Sequence, residues 1–170
     1  MISFINSEIL QAKKEHAHCS MDMTPQWHEL DTSNRFDSKW VIAGTLSIKK
    51  RMVHTLRIES MTLAWHGPEI TNLKCSLFKM PYEKIDTFAT DENLISQGTW
   101  SKKYQRIHLK FTTPEYINDP VAFYGLVMTF DTATEQLLKQ GYFEMVPDSL
   151  PDQLQKSVQG SPLKLSFIER

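Results

Sequence analysis

Cysteine is scarce in this chain: Cys19 and Cys75 are the two it has. Two thiols close one bridge at most, which excludes a disulfide framework. Reduced thiols in a reducing compartment are the simpler expectation. Long apolar runs are missing as well. The longest, Val121–Met128, falls far short of the ~20 residues a membrane-spanning helix needs. Residues 1–20 lack the basic and then apolar layout of a cleaved leader. The expected location is therefore cytoplasmic, with export without a cleaved signal peptide, or a leader already removed, as the alternative. Glycine is sparse and scattered, with six residues. No G-x-G-x-x-G turn, phosphate-binding G-x-x-x-x-G-K-S/T loop or G-x-S-x-G elbow is spelled anywhere. Nucleotide chemistry by the usual loops and serine hydrolysis are thereby set aside. A charge excess is also absent: 19 basic residues stand against 20 acidic ones, for a net charge of −1. A nucleic-acid binder advertises a basic surplus, so none is expected as a partner.

What is present is a two-residue rhythm. Trp40, Ile42, Gly44, Leu46 and Ile48 alternate with variable residues, as a half-buried strand does. Leu56 and Ile58 hold one parity, and Met61, Leu63 and Trp65 hold the other. Glu59-Ser60 has no turn residue, so the parity switch predicts a β-bulge there. Gly67-Pro68 is a turn. Leu73, Cys75 and Leu77 give a strand with one wet face. Leu94, Gly98 and Trp100 give a weaker strand. Ser101–Gln105 is a hairpin loop, and Ile107, Leu109 and Phe111 complete the pair. Pro114 and Asn118-Asp119-Pro120 place a turn over Thr112–Pro120. Val121–Phe130 is nearly continuous apolar, which suits a central strand covered on both faces. Phe143 with Met145, and Leu163 with Leu165 and Phe167, are two short strands more.

Helices are few in this reading. Phe4–His18 is a candidate, with Asn6 as its cap and Ile5 and Leu10 as a hydrophobic staple. Thr132 and Glu135 form a capping box for a short helix ending at Gly141. Leu150, Leu154 and Val158, spaced by four, permit another. Cys19–Lys39 is polar and rich in turn chemistry, and is expected to be irregular. The fold expected is an all-β antiparallel β-sandwich of roughly eight strands. It has a short N-terminal helix and one or two short helices near the C-terminus. A β-barrel or an α+β fold is the alternative. Residues 1–170 make one domain, with 1–39 as a helix-plus-loop N-terminal extension. In general appearance the pattern is similar to immunoglobulin-like and C2-like sandwiches. It lacks the Cys…Trp…Cys arrangement of antibody domains and the aspartate-rich end loops of calcium-binding C2 domains.

Several residue groups compete as sites. His16, His18 and Cys19 are good ligands for zinc or copper, and with His28 they would serve a metal-dependent enzyme. No matched ligand spacing accompanies them, so no metal or other cofactor is expected. Trp27-His28-Glu29 joins an aromatic, a base and a carboxylate in one segment, with no nucleophile beside it. Trp27 lies outside the expected strands, and so suits contact with a partner or a sugar ring. Trp40, Trp65 and Trp100 share parity with aliphatic neighbours and belong to the core. Cys75, between Leu73 and Leu77, is read as a small buried hydrophobe. His108 alternates with Ile107 and Leu109, on the polar face. Lys49-Lys50-Arg51 and Lys102-Lys103 are charged hairpin tips. If both tips share one end, they make a basic patch with Tyr104 and the nearby Arg57 and Arg106. Lysine at tips and edges also discourages sheet-to-sheet aggregation.

The function expected is a non-enzymatic binding module for a protein partner. Trp27, His28, Lys49, Lys50, Arg51, Lys102, Lys103 and Tyr104 are its candidate contact residues. The alternatives are a small-ligand or carbohydrate-binding β domain that stacks its ligand on Trp27, and the metal-dependent enzyme of His16, His18, Cys19 and His28.

Overall fold

The computed structural model describes residues 18–29, 39–51, 54–81, 89–160 and 163–167. The helix expected over Phe4–His18 falls, save for His18, outside them. Ten strands are found among the described residues: β1 (Cys19–Glu29), β2 (Lys39–Lys50), β3 (Leu56–His66), β4 (Lys74–Met80), β5 (Leu94–Gln97), β6 (Thr99–Ser101), β7 (Arg106–Ile117), β8 (Val121–Phe130), β9 (Tyr142–Met145) and β10 (Lys164–Ser166). Two short helices join them, α1 (Thr132–Leu138) and α2 (Asp152–Gly160). The strands form two five-stranded antiparallel sheets. Sheet A has the order β1-β2-β8-β4-β5, and sheet B has β10-β9-β3-β7-β6. This is the mostly-β, two-sheet arrangement that the alternation implied.

The core lies between the sheets. Leu46, Ile48, Leu126 and Met128 come from sheet A, and Ile58, Met61, Leu63, Ile107 and Phe143 from sheet B. Alternation makes this possible, because every second side chain of a strand faces the same layer. Strand β8 is the middle of sheet A and is buried from Tyr124 to Phe130. Its second face carries Val127, which packs with Phe78 and Met80. The unbroken apolar run therefore marks a strand covered on both sides, as expected.

Ten strands replace roughly eight for two reasons. Cys19–Lys39 was expected to be irregular, yet Cys19–Glu29 is β1 and pairs antiparallel with β2. Cys19 and Met21 are buried while Asp22 is exposed, an alternation too short to stand out among polar neighbours. A register shift between Pro25 and His28 breaks the rhythm further. The second reason is Gly98. The single strand expected over Leu94–Trp100 splits there, with β5 in sheet A and β6 in sheet B. The Gly98 N–H donates to the Cys75 carbonyl at 2.6 Å. A Cβ on Gly98 would lie 2.9 Å from that carbonyl and 2.8 Å from Ile107. Only glycine lets the chain turn this corner so close to the core.

The parity switch in β3 is present, with Leu56 and Ile58 buried on one side of it and Met61, Leu63 and Trp65 on the other. The register slips between the Ile58–Glu115 and Ser60–Lys110 pairs, so the extra residues lie in β7, around Phe111–Pro114. Pro114, expected to end the strand, sits at this irregularity while β7 continues to Ile117. Proline is tolerated where the ladder is already interrupted.

Two helix details also differ. The cap of α1 is Asp131, whose carboxylate accepts from the Thr134 amide at 2.7 Å. That contact holds the Asp131 carboxyl below its usual range. The helix ends at Leu138, and no glycine among the described residues has positive φ. Helix α2 packs against β1 and sends Leu154 and Val158 into the core.

Candidate functional site

Parity assigns the faces of sheet B. Met61, Leu63, Trp65, Ile107, Leu109, Phe143 and Met145 point into the core. The residues between them form the outer face. Register places Lys164, Glu144, Ala64, Arg106 and Ser101 in one row across the sheet. His66 lies opposite Tyr142 on one side of that row. On the other side, Thr62 lies opposite His108. The small Ala64 is thus the low point of a polar surface.

Contacts on this face are specific. The His66 ring stacks on Tyr142 with centroids 5.0 Å apart. His66 Nε2 is 3.9 Å from the Glu144 carboxylate. The Lys164 ammonium sits over the Tyr142 ring at 4.7 Å. Thr62 Oγ1 and His108 Nδ1 are 3.0 Å apart. A hydroxyl beside an imidazole is a nucleophile–base pair in outline. Among the described residues no acid pairs with His108, and the pair lies exposed on an open sheet face.

The β6–β7 hairpin extends this face. Gln105 has φ 52°, in the left-handed region. Its side chain is fully used: Nε2 donates to the carbonyls of Ile70 (3.0 Å) and Lys102 (2.7 Å), and Oε1 accepts from the Ile70 amide (2.8 Å). The Trp65 amide donates to the Gln105 carbonyl at 2.8 Å. These bonds fasten the tip to the turn that follows Gly67. Between tip and turn runs an open groove of about 660 Å³, lined by Gly67, Glu69, Lys102, Lys103 and Gln105. Tyr104 is 66% exposed, the largest value among the exposed large hydrophobics of the described residues. The Lys103 ammonium lies 5.2 Å from the centre of its ring. Lys102 is 3.8 Å from Glu69.

The candidate contact residues therefore separate. Lys102, Lys103 and Tyr104 are at a hairpin tip, as expected. Lys49-Lys50-Arg51 is not a tip, because β2 and β3 belong to different sheets. Lys49 and Lys50 lie inside β2, opposite Ser20 and Cys19. Lys49 is exposed, 3.9 Å from Asp22, while Lys50 is buried and its ammonium donates to the His54 carbonyl at 3.3 Å. Arg51 is exposed just beyond the strand. The Lys50 amide donates to the Pro120 carbonyl, so this stretch sits at the far end of β7 from the hairpin. The two basic stretches are roughly 35 Å apart, the length of a strand like β7. They do not form one patch. Arg57 goes with the far end, over Tyr116 and paired with Glu59, while Arg106 goes with the hairpin. Trp27 and His28 are in β1, and their side chains lie outside what is described.

His16 also lies outside the described residues. Among those described, no group of three or more His, Cys, Asp or Glu could hold a metal. Cys75 is fully buried, and burial pushes its thiol up to about 12. Cys19 is raised as well, by burial, against the opposing pull of Lys50. Neither thiol is set up as a nucleophile. Sequence reasoning placed His108 on a polar face but missed the surface formed by His66, Tyr142, Glu144 and Lys164. The signal was there as the polar parity of β3 and β9, yet only the cross-strand register brings those residues together. No helix among the described residues is long and apolar enough to cross a membrane. No family model, curated protein or solved structure matches the chain.

Proposed function

We propose that this chain is a non-enzymatic interaction module that docks a protein partner on the outer face of sheet B and the β6–β7 hairpin. The observation that carries this reading is Tyr104: a broadly exposed aromatic on a tip that the Gln105 side chain holds in place. Exposed aromatics on rigid elements are the anchors of protein interfaces, because they bury much area at small entropic cost. The two sheets also differ in a way that favours sheet B. The outer side of sheet A carries the buried cluster of Phe78, Met80 and Val127, whereas that of sheet B is polar.

The test is site-directed photo-crosslinking in cells. A benzophenone amino acid replaces Tyr104, Thr62 or, as a control, Asp119, which is exposed in the turn between β7 and β8. One discrete protein adduct shared by the first two positions and absent from the third is expected. Adducts that are missing, or the same from all three positions, would retire the proposal. So would robust turnover by the purified chain that a single polar substitution abolishes.

A further inference from the structure

We infer that the surface of sheet B is built for an acidic segment of the partner, anchored in the groove between the β6–β7 hairpin and the Gly67–Glu69 turn. This rests on the interaction-module reading and names the chemistry that the module recognises. Hairpin and sheet face are continuous, since His66 leads into Gly67 and Gln105 into Arg106. The combined surface presents Lys102, Lys103, Arg106, Lys110 and Lys164 against Glu69, Glu144 and Asp148, which is exposed in the segment bonded to Thr62. That is a surplus of two positive charges in a chain whose net charge is −1, so the other residues together carry a net negative charge.

Pairing sharpens the contrast. Glu69 is beside Lys102 and Glu144 is beside His66. Lys103, Arg106, Lys110 and Lys164 have no carboxylate within ion-pair distance among the described residues. Lys103 and Lys164 instead rest on the rings of Tyr104 and Tyr142, which keeps each ammonium in place and open to a second, anionic contact. From Arg106 the cations run about 13 Å along β7 to Lys110 and about 14 Å across the sheet to Lys164. A single carboxylate cannot span them, and one exposed ion pair contributes only ~0.2–1 kcal/mol. Several acids in one segment, meeting several cations, give useful affinity. Charge complementarity speeds the encounter of such a segment with this face.

The probe is a fluorescein-labelled hexaglutamate peptide, followed by fluorescence anisotropy against the whole chain. Binding in about 50 mM salt, with a steep loss by about 200 mM, is expected. Reversal of Lys103 and Arg106 together (K103E with R106E) weakens it by about tenfold or more, and the neutral pair K103Q with R106Q by less. Lys49→Glu, at the far end of β7, leaves it within about twofold. Melting temperatures of all variants verify that they are folded. Failure to bind the peptide, an equal loss in Lys49→Glu, or full displacement by millimolar inorganic phosphate overturns the inference. So does tighter capture by phosphatidylserine vesicles than by the peptide, which makes the face a membrane dock. If peptide binding fails while the Tyr104 crosslink persists, the acidic-segment inference falls and the module stands. If the crosslink fails, the module reading itself falls.

Discussion

Gly141 shows how single residues carry the fold. Its place after Thr132–Leu138 predicts a left-handed helix terminator, but it has no positive φ. Its role is close approach: a Cβ there would collide with the His66 carbonyl and lie 2.7 Å from the Trp65 ring. Trp65 is held by its own bond, with Nε1 donating to the Pro68 carbonyl at 2.7 Å. Backbone and a pinned indole cannot both give way. Gly141→Ala is expected to cost about 1–3 kcal/mol, read from urea denaturation. An unchanged midpoint would mean that the glycine is incidental. Gln105 is the opposite case, a residue whose side chain outweighs a strained backbone. Gln105→Ala keeps the left-handed strain and loses three hydrogen bonds, whereas Gln105→Gly loses the bonds and the strain. The glycine variant should be the more stable of the two by about 1 kcal/mol. Equal stabilities would show that the positive φ carries no strain.

Cys75 supplies a pH dependence at the same scale. Its thiol rises from 9.0 to about 12 through burial alone. Between those values the unfolded chain releases the proton and the folded chain keeps it. The unfolded state then binds fewer protons, so stability is full below the lower value and falls as pH rises. The thiol contributes a slope of about 1.4 kcal/mol per pH unit. Tyr124 is also raised, by burial and then by Glu115, and acts in the same direction from its ordinary value of 10.0 upward, in wild type and Cys75→Ala alike. In Cys75→Ala the loss between about pH 9 and about pH 10.5 should shrink by the thiol's share. Urea melts at the two pH values measure it, and an identical slope in the variant would contradict this account.

Among elements, legibility followed the strength of the alternation. Strands β4 and β8 were clear because apolar residues recur without interruption, and β2 was clear as a strand although its register shifts between Ile42 and Gly44, so the single face expected from Trp40 to Ile48 is broken there. The hairpin at Ser101–Gln105 was clear because its polar tip divides two such runs. Strand β1 was hidden, because Thr24-Pro25 resembles turn chemistry and the register breaks beside it. The split of Leu94–Trp100 between sheets leaves no trace in periodicity, since the corner is one glycine. For the same reason the polar surface was half legible: each strand shows its wet parity, but rows such as Lys164–Glu144–Ala64–Arg106 exist only through pairing. Helix α2 was legible from the spacing of Leu150, Leu154 and Val158. It packs against β1, an edge strand, and completes the core on that side. Leu154 is fully buried there. Leu154→Ala should cost about 2–5 kcal/mol, a core-sized penalty from a short helix near the chain's end. A loss below about 1 kcal/mol would mean that α2 is an appendage to the sheets.

For the whole molecule, the strand orders interleave the two halves of the chain. The middle strand of sheet A is β8, from the second half, and that of sheet B is β3, from the first. A cut within the segment between Pro81 and Ala89 leaves the first fragment with β1 to β4 and the second with β5 to β10. Of the pairings, only β1–β2 survives in the first fragment, and β6–β7 with β9–β10 in the second. Each sheet loses its centre or both neighbours of its centre. An isolated two-stranded hairpin is marginal in water, so neither fragment retains a covered apolar layer. Each fragment alone should therefore lack a cooperative thermal transition. The equimolar mixture should regain the strand signal of the intact chain, followed by circular dichroism and by the emission of Trp65 and Trp100. The recovery is second order in fragment concentration, because the central strands must find partners on the other piece. A fragment that melts cooperatively by itself would show that the sheets are not interdependent, and would place the folding unit in one half of the chain.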